Sequence, residues 1–126
     1  MQERQPVVEP AEFDPSAVAH RVVDVATDKK AVDLHLLDIR PLTTLADFFV
    51  IMTGTSRVHI RALSENIREA LAQDGVRALQ IEGSADDGWV LMDLGSVVVH
   101  IFSADRRAFY GLEQLWSAGT TVVRIQ

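Results

Sequence analysis

Apolar positions along this chain change period several times, and each change marks an element. Val18, Val22, Val25 and Ala26 recur at helical spacing behind Asp14-Pro15, an N-cap followed by a first-turn proline. This predicts a first helix to about Lys30, with Lys29 and Lys30 against the negative end of its dipole. From Val32 the period becomes two. Val32, Leu34 and Leu36 alternate with Asp33, His35 and Leu37, a half-buried strand stopped ahead of Pro41. Residues 48–52 form a continuous apolar run, the mark of a strand covered on both faces. Thr53-Gly54-Thr55 turns the chain and Ser56 caps a second helix, whose apolar stripe is Ile60, Leu63, Ile67, Ala70 and Leu71. Asp74-Gly75 ends that helix with a glycine suited to the left-handed cap.

Residues 76–81 predict a third strand, and a loop over residues 82–88 leads to a fourth at 89–92. Asp93-Leu94-Gly95-Ser96 turns into a fifth strand at 97–102. Ser103 caps a last helix with Phe109, Leu112 and Trp116 on a core-facing side, and Arg106, Tyr110 and Glu113 on another. The expected order is αββαβββα. Its fold class is α/β in the broad sense (α+β), a single mixed five-stranded sheet with helices packed on it. The helix between the second and third strands permits a parallel crossover, whereas the later hairpin is antiparallel. Residues 14–118 are expected as the domain, 1–13 as a mobile N-terminal tail and 119–126 as a C-terminal extension.

Composition narrows the function classes. The chain has 126 residues, 48% of them hydrophobic and 24% charged, which suits one globular domain. A net charge of −6 argues against nucleic acid as the main contact, because phosphate binding draws on a Lys/Arg surplus. The absence of cysteine removes disulfides, thiolate chemistry and cysteine-based zinc sites. No apolar run approaches membrane-spanning length, and the start MQERQPVVEP lacks the apolar region of a signal peptide. The expectation is a cytoplasmic protein with no membrane partner.

Catalytic signatures are sparse. The chain contains no GxGxxG, GxxxxGK[ST] or GxSxG, and His20, His35, His59 and His100 form no metal-ligand pair. Gly54-Thr55-Ser56, at a strand-to-helix junction, is the best enzymatic candidate, because free backbone N–H groups there can hold an anion. An enzyme of the nucleotidyltransferase kind also needs paired carboxylates for magnesium, and the chain has no Asp-x-Asp. We read the turn as a helix cap, and Arg57, Arg61 and Arg68 as a solvated face beside Glu65 and Glu69. A divergent nucleotidyltransferase-like enzyme or nucleotide-binding domain is the alternative.

Residues 88–116 carry more aromatic and basic side chains than a small core needs. Trp89 opens a strand straight after a loop, so a sheet-end core position and a part-exposed anchor both fit it. Tyr110 lies with Arg106 and Arg107 on the helix side away from the expected core. Trp, Tyr and Arg dominate interface hot spots. Asp93 is first a turn former and second an acidic contact for a basic partner.

At these residues the chain resembles the Iojap family, the ribosomal silencing factors RsfS. The likeness spans residues 16–117. It rests on DKKAVDLHLLDI at 28–39, ADFFVIMTGTS at 46–56, IEG at 81–83, WVLMDLGSVVVHIF at 89–102 and RRAFYGLEQLW at 106–116. The resemblance implies a nucleotidyltransferase-like fold without the catalytic acids, and therefore no enzyme, cofactor or metal. It implies binding to the large ribosomal subunit through that subunit's fourteenth protein, which obstructs joining of the small subunit and lowers translation when nutrients are short. It also implies a partner-binding surface formed by Trp89, Leu91, Asp93, Phe102, Arg107 and Tyr110, with Glu82 as a weaker member. A homodimer of the free protein, hiding these aromatics until docking, is compatible with the family. Two positions depart from its pattern. Ser96 stands where an Asp is common, and Val58 precedes His59 where an Arg is common, which displaces Arg57 by about 100° around the helix.

Overall fold

The computed structural model describes residues 14–115 and 117–126. The tail over residues 1–13 and Trp116, expected in the core, lie outside the described residues. The elements are α1 (Pro15–Asp28), β1 (Val32–Asp38), β2 (Phe48–Thr53), α2 (Arg57–Gln73), β3 (Gln80–Ser84), β4 (Trp89–Asp93), β5 (Val97–Phe102), α3 (Ala104–Tyr110), α4 (Leu112–Leu115) and β6 (Thr120–Ile125). They build a single mixed sheet in the order β3-β4-β5-β2-β1-β6. Its central pair, β2 and β5, is parallel, and the described neighbours on either side are antiparallel.

Caps fix the helix ends. The Asp14 carboxylate accepts the Ser16 N–H at 3.1 Å to open α1, and Ser56 Oγ accepts the His59 N–H at 3.0 Å to open α2. α1 stops at Asp28, short of the expected Lys30, because Lys30 takes a left-handed φ of 67° and the Ala31 N–H reaches back to the Ala26 carbonyl at 2.9 Å. α2 closes in the same way at Gly75, with the Val76 N–H on the Leu71 carbonyl at 2.8 Å. That bond corrects the third strand. Val76 belongs to the helix cap, the first bond to β4 is the Leu79 N–H on the Asp93 carbonyl at 2.8 Å, and the strand begins at Gln80.

Helices α1 and α2 run antiparallel over one face of the sheet. Arg21 binds Asp74 at 2.9 Å at one end. At the other, the His59 ring accepts the Thr55 N–H at Nδ1 and donates from Nε2 to the Lys29 carbonyl, each at 2.9 Å. Val18, Ala19, Val22, Ile60, Leu63 and Ile67 meet Leu34, Leu36, Val50, Met52, Met92, Val99 and Ile101 in the main core. Each such large side chain contributes about 1.5–3 kcal/mol by leaving water. No helix among the described residues is long and apolar enough to cross a membrane.

Two further differences from the expected order concern the end of the chain. Residues 120–125 add a sixth strand, pairing with β1 from Leu34↔Ile125 to Asp38↔Thr120. The last helix is also broken. Gly111 takes φ 57°, its N–H closes on the Arg107 carbonyl at 3.0 Å, and the chain re-enters a short helix from Leu112.

Candidate docking surface

Strand alternation sends every second residue away from the α1–α2 layer. On β4 these are Trp89, Leu91 and Asp93, opposite Phe102, His100 and Val98 of β5. β2 continues the rows with Thr53, Ile51 and Phe49, and β3 flanks them with Ser84, Glu82 and Gln80. Cover on this side is partial. A second cluster of Leu37, Ile39, Ala46, Ile51 and Phe102 fills one end, with Trp89, Phe49, Val98 and Leu112 packed against it.

The aromatic side chains form a connected stack. Trp89 lies parallel to Phe102 at 5.8 Å and to His100 at 6.3 Å, and Tyr110 of α3 tilts over it at 5.0 Å. Phe109 meets the Tyr110 ring edge-on at 5.2 Å. The Trp89 indole N–H donates to His100 Nδ1 at 3.4 Å. Burial drives the His100 pKa down from the ordinary 6.5 to about 4, against a smaller opposing pull from Glu113. The ring is therefore neutral, and its Nε2 has no partner among the described residues.

The expected contact residues separate on this frame. Trp89, Leu91 and Asp93 are half-buried and face outward, Glu82 is exposed, and Tyr110 is 42% exposed. Asp93 first serves the turn, where its Oδ1 accepts the Gly95 N–H at 2.8 Å. Phe102, 1% exposed, and Arg107, 8% exposed, offer a partner almost no surface. Arg107 donates from Nη1 to Thr53 Oγ1 at 2.9 Å and to the Asp33 carbonyl at 2.5 Å, and from Nε to Glu113. The assignment of Phe109 to the core is also corrected: it is 77% exposed. Helical spacing linked it to Leu112 and Trp116, but that spacing does not survive the left-handed residue at Gly111.

Beside the stack runs a groove of about 440 Å³ bordered by Leu45, Leu79, Leu91, Val98 and His100, with Glu82 and Asp93 on its rim. Leu45 and Leu79 are exposed. Sequence reasoning passed over both: Leu45 sits in a linker with no period to flag it, and Leu79 was assigned to the third strand without being singled out for a site. An apolar face rimmed by acids and topped by Tyr and Trp suits a protein partner carrying basic side chains.

A second concavity of about 700 Å³ lies at the carboxyl ends of β2 and β5, lined by Gly54, Thr55, Ser56, Arg57, Gly88, Ser103 and Arg106. Open α/β sheets bind ligands at such a place. Here much of the polar equipment is committed to local structure. The Thr55 N–H goes to His59, Ser56 and Ser103 cap helices, and Arg57 reaches Asp86 at 3.5 Å. Asp86, Asp87 and Asp105 line the same space.

Comparison with known proteins gives the chain a family. The model of the family described as "Ribosomal silencing factor during starvation" (RsfS) matches residues 12–126. The chain belongs to this family. It is 38% identical over 100 residues to the ribosomal silencing factor RsfS of Halalkalibacterium halodurans, covering 79% of this chain and 86% of that one. Mitochondrial assembly of ribosomal large subunit protein 1 of Mus musculus is 30% identical over 99 residues, covering 76% of this chain and 43% of that protein. A crystal structure of a protein from Chromobacterium violaceum superposes with a TM-score of 0.80 at 29% identity, covering 90% of this chain and 94% of the other. The RsfS family is named for silencing rather than for a reaction.

Proposed function

We propose that this chain is a ribosomal silencing factor that docks on the large ribosomal subunit through its fourteenth protein and sterically prevents the small subunit from joining. The observation that carries this reading is the aromatic and acidic face of β4, β5 and α3, left open by the α1–α2 layer. Trp89, Leu91 and Tyr110 supply apolar contact area, while Glu82 and Asp93 face the basic surface of a ribosomal protein. The family membership and the mouse relative's name support the ribosome as the setting. The mechanism is occupation of space, so it asks for no catalytic group. Translation falls because docked large subunits are withheld from the pool that can pair.

The test is reconstitution with purified subunits. Isolated large subunits sedimented with excess factor should carry it down, and light scattering on adding small subunits should rise less than in its absence. Undiminished joining at saturating factor would refute the reading.

A further inference from the structure

Arg107 is an arginine on a short surface helix that spends its whole head group inside the molecule. Its guanidinium reaches β1 at the Asp33 carbonyl, β2 at Thr53 Oγ1 and α4 at Glu113, while Nη2 lies 4.0 Å from Asp33 Oδ2. The backbone adds to this, because the Arg107 carbonyl accepts the Gly111 N–H that turns α3 into α4. The two residues that cover and extend the aromatic stack, Phe109 and Tyr110, stand between those attachments. Across the turn, Glu113 folds back onto the same guanidinium. A planar fork spreads five N–H donors in fixed directions over three elements, a wider span than a lysine's single ammonium offers.

We propose that Arg107 is the positioning residue of the docking face: it touches no partner, and through its clamp on β1, β2 and α4 it sets the height at which α3 holds Tyr110 over Trp89. This rests on the docking reading for its purpose, but the geometry it asserts is a property of the free protein. Other contacts hold the start of α3 and the Tyr110 ring, with the Ser103 N–H on the Gly88 carbonyl at 2.8 Å and Phe102 5.9 Å from Tyr110, but the side-chain bonds from α3 to β1 and β2 end on the Arg107 head group. The arrangement also accounts for Asp33, a non-glycine residue at φ 51°, whose carbonyl is turned onto Nη1.

Three variants test this: Arg107→Met, Glu113→Gln and Tyr110→Ala, with each of the first two also combined with the third. On the free protein, the indole N–H resonance of Trp89, assigned by its loss in Trp89→Phe, reports the Tyr110 ring above it. Arg107→Met and Glu113→Gln should both move that resonance, with circular dichroism unchanged. On isolated large subunits, Arg107→Met alone should weaken binding about tenfold, yet less than about twofold further once Tyr110 is Ala, the non-additivity of residues acting through one another. A full loss repeated in the Tyr110→Ala background would make Arg107 an independent contact and overturn the proposal. An unmoved Trp89 resonance in both clamp variants would overturn it as well. Should Arg107→Met fail to fold, Glu113→Gln carries both measurements alone. Absence of binding by the unaltered protein would refute the docking reading, and the resonance would still decide the clamp.

Discussion

At His100, burial and hydrogen bonding act in the same direction. The ring sits 5% exposed among Phe49, Trp89 and Phe102, and its Nδ1 lone pair is occupied by the Trp89 indole N–H. Both favour the neutral form, so the unfolded chain takes up the proton first as pH falls. Stability from this residue is therefore full above 6.5 and is lost between 6.5 and about 4. Between pH 7 and pH 5 it should fall by on the order of 2 kcal/mol. Urea unfolding of the unaltered chain and of His100→Phe at both pH values checks this, and parallel pH slopes in the two proteins would refute it. Tyr110 has a different kind of consequence. It is exposed, so Tyr110→Ala should leave the urea midpoint nearly unchanged while weakening large-subunit binding by about 2 kcal/mol, a fall of about thirtyfold. Co-sedimentation titration measures the second quantity.

Elements show where local pattern suffices and where geometry takes over. β1, β2, β4, β5 and α2 were legible because period and caps agreed: a run of two-fold alternation, an apolar block, or Ser56 ahead of a stripe. The misplacements occur at left-handed residues. Val76 reads as strand by composition, but Gly75 gives it to the α2 cap, and Gly111 cuts the periodicity on which Phe109 was placed. Arg107 was misplaced on the outer face for another reason: charge predicts exposure, and only tertiary partners on β1 and β2 reveal a buried guanidinium. β3 depends on a glycine of its own. Gly83 sits at φ 77°, and a methyl group there would lie 2.1 Å from the Trp89 carbonyl. Gly83→Ala should cost roughly 1–3 kcal/mol of stability through backbone strain and lost pairing with β4. Thermal unfolding checks the loss, and hydrogen exchange should place the added opening at residues 80–84.

On the scale of the whole molecule, β6 changes what the last residues are for. Read from sequence, residues 119–126 were only an extension beyond the last helix, although Gly119 and the β-branched residues from Thr120 to Ile125 carry a strand signal. In the fold they lie along β1 from Leu34 to Asp38 and pack Val123 and Ile125 against the main core. Deleting residues 119–126 should lower the urea midpoint and expose the β1 edge to self-association, measured by denaturation and by light scattering. A midpoint equal to that of the intact chain would show that the strand adds nothing. The acidic balance acts over the same scale. With a net charge of −6, encounter with a basic ribosomal surface should slow as salt rises, while the dissociation rate changes little.

The parallel contact between β2 and β5 ties together strands made far apart in time. During synthesis the chain can form α1, β1, β2 and α2 early, but the centre of the sheet stays open until β5 has emerged. Trp89, Leu91, His100 and Tyr110 acquire their shared face only after that closure. An unfinished chain thus carries the core-forming helices before the face proposed for docking exists.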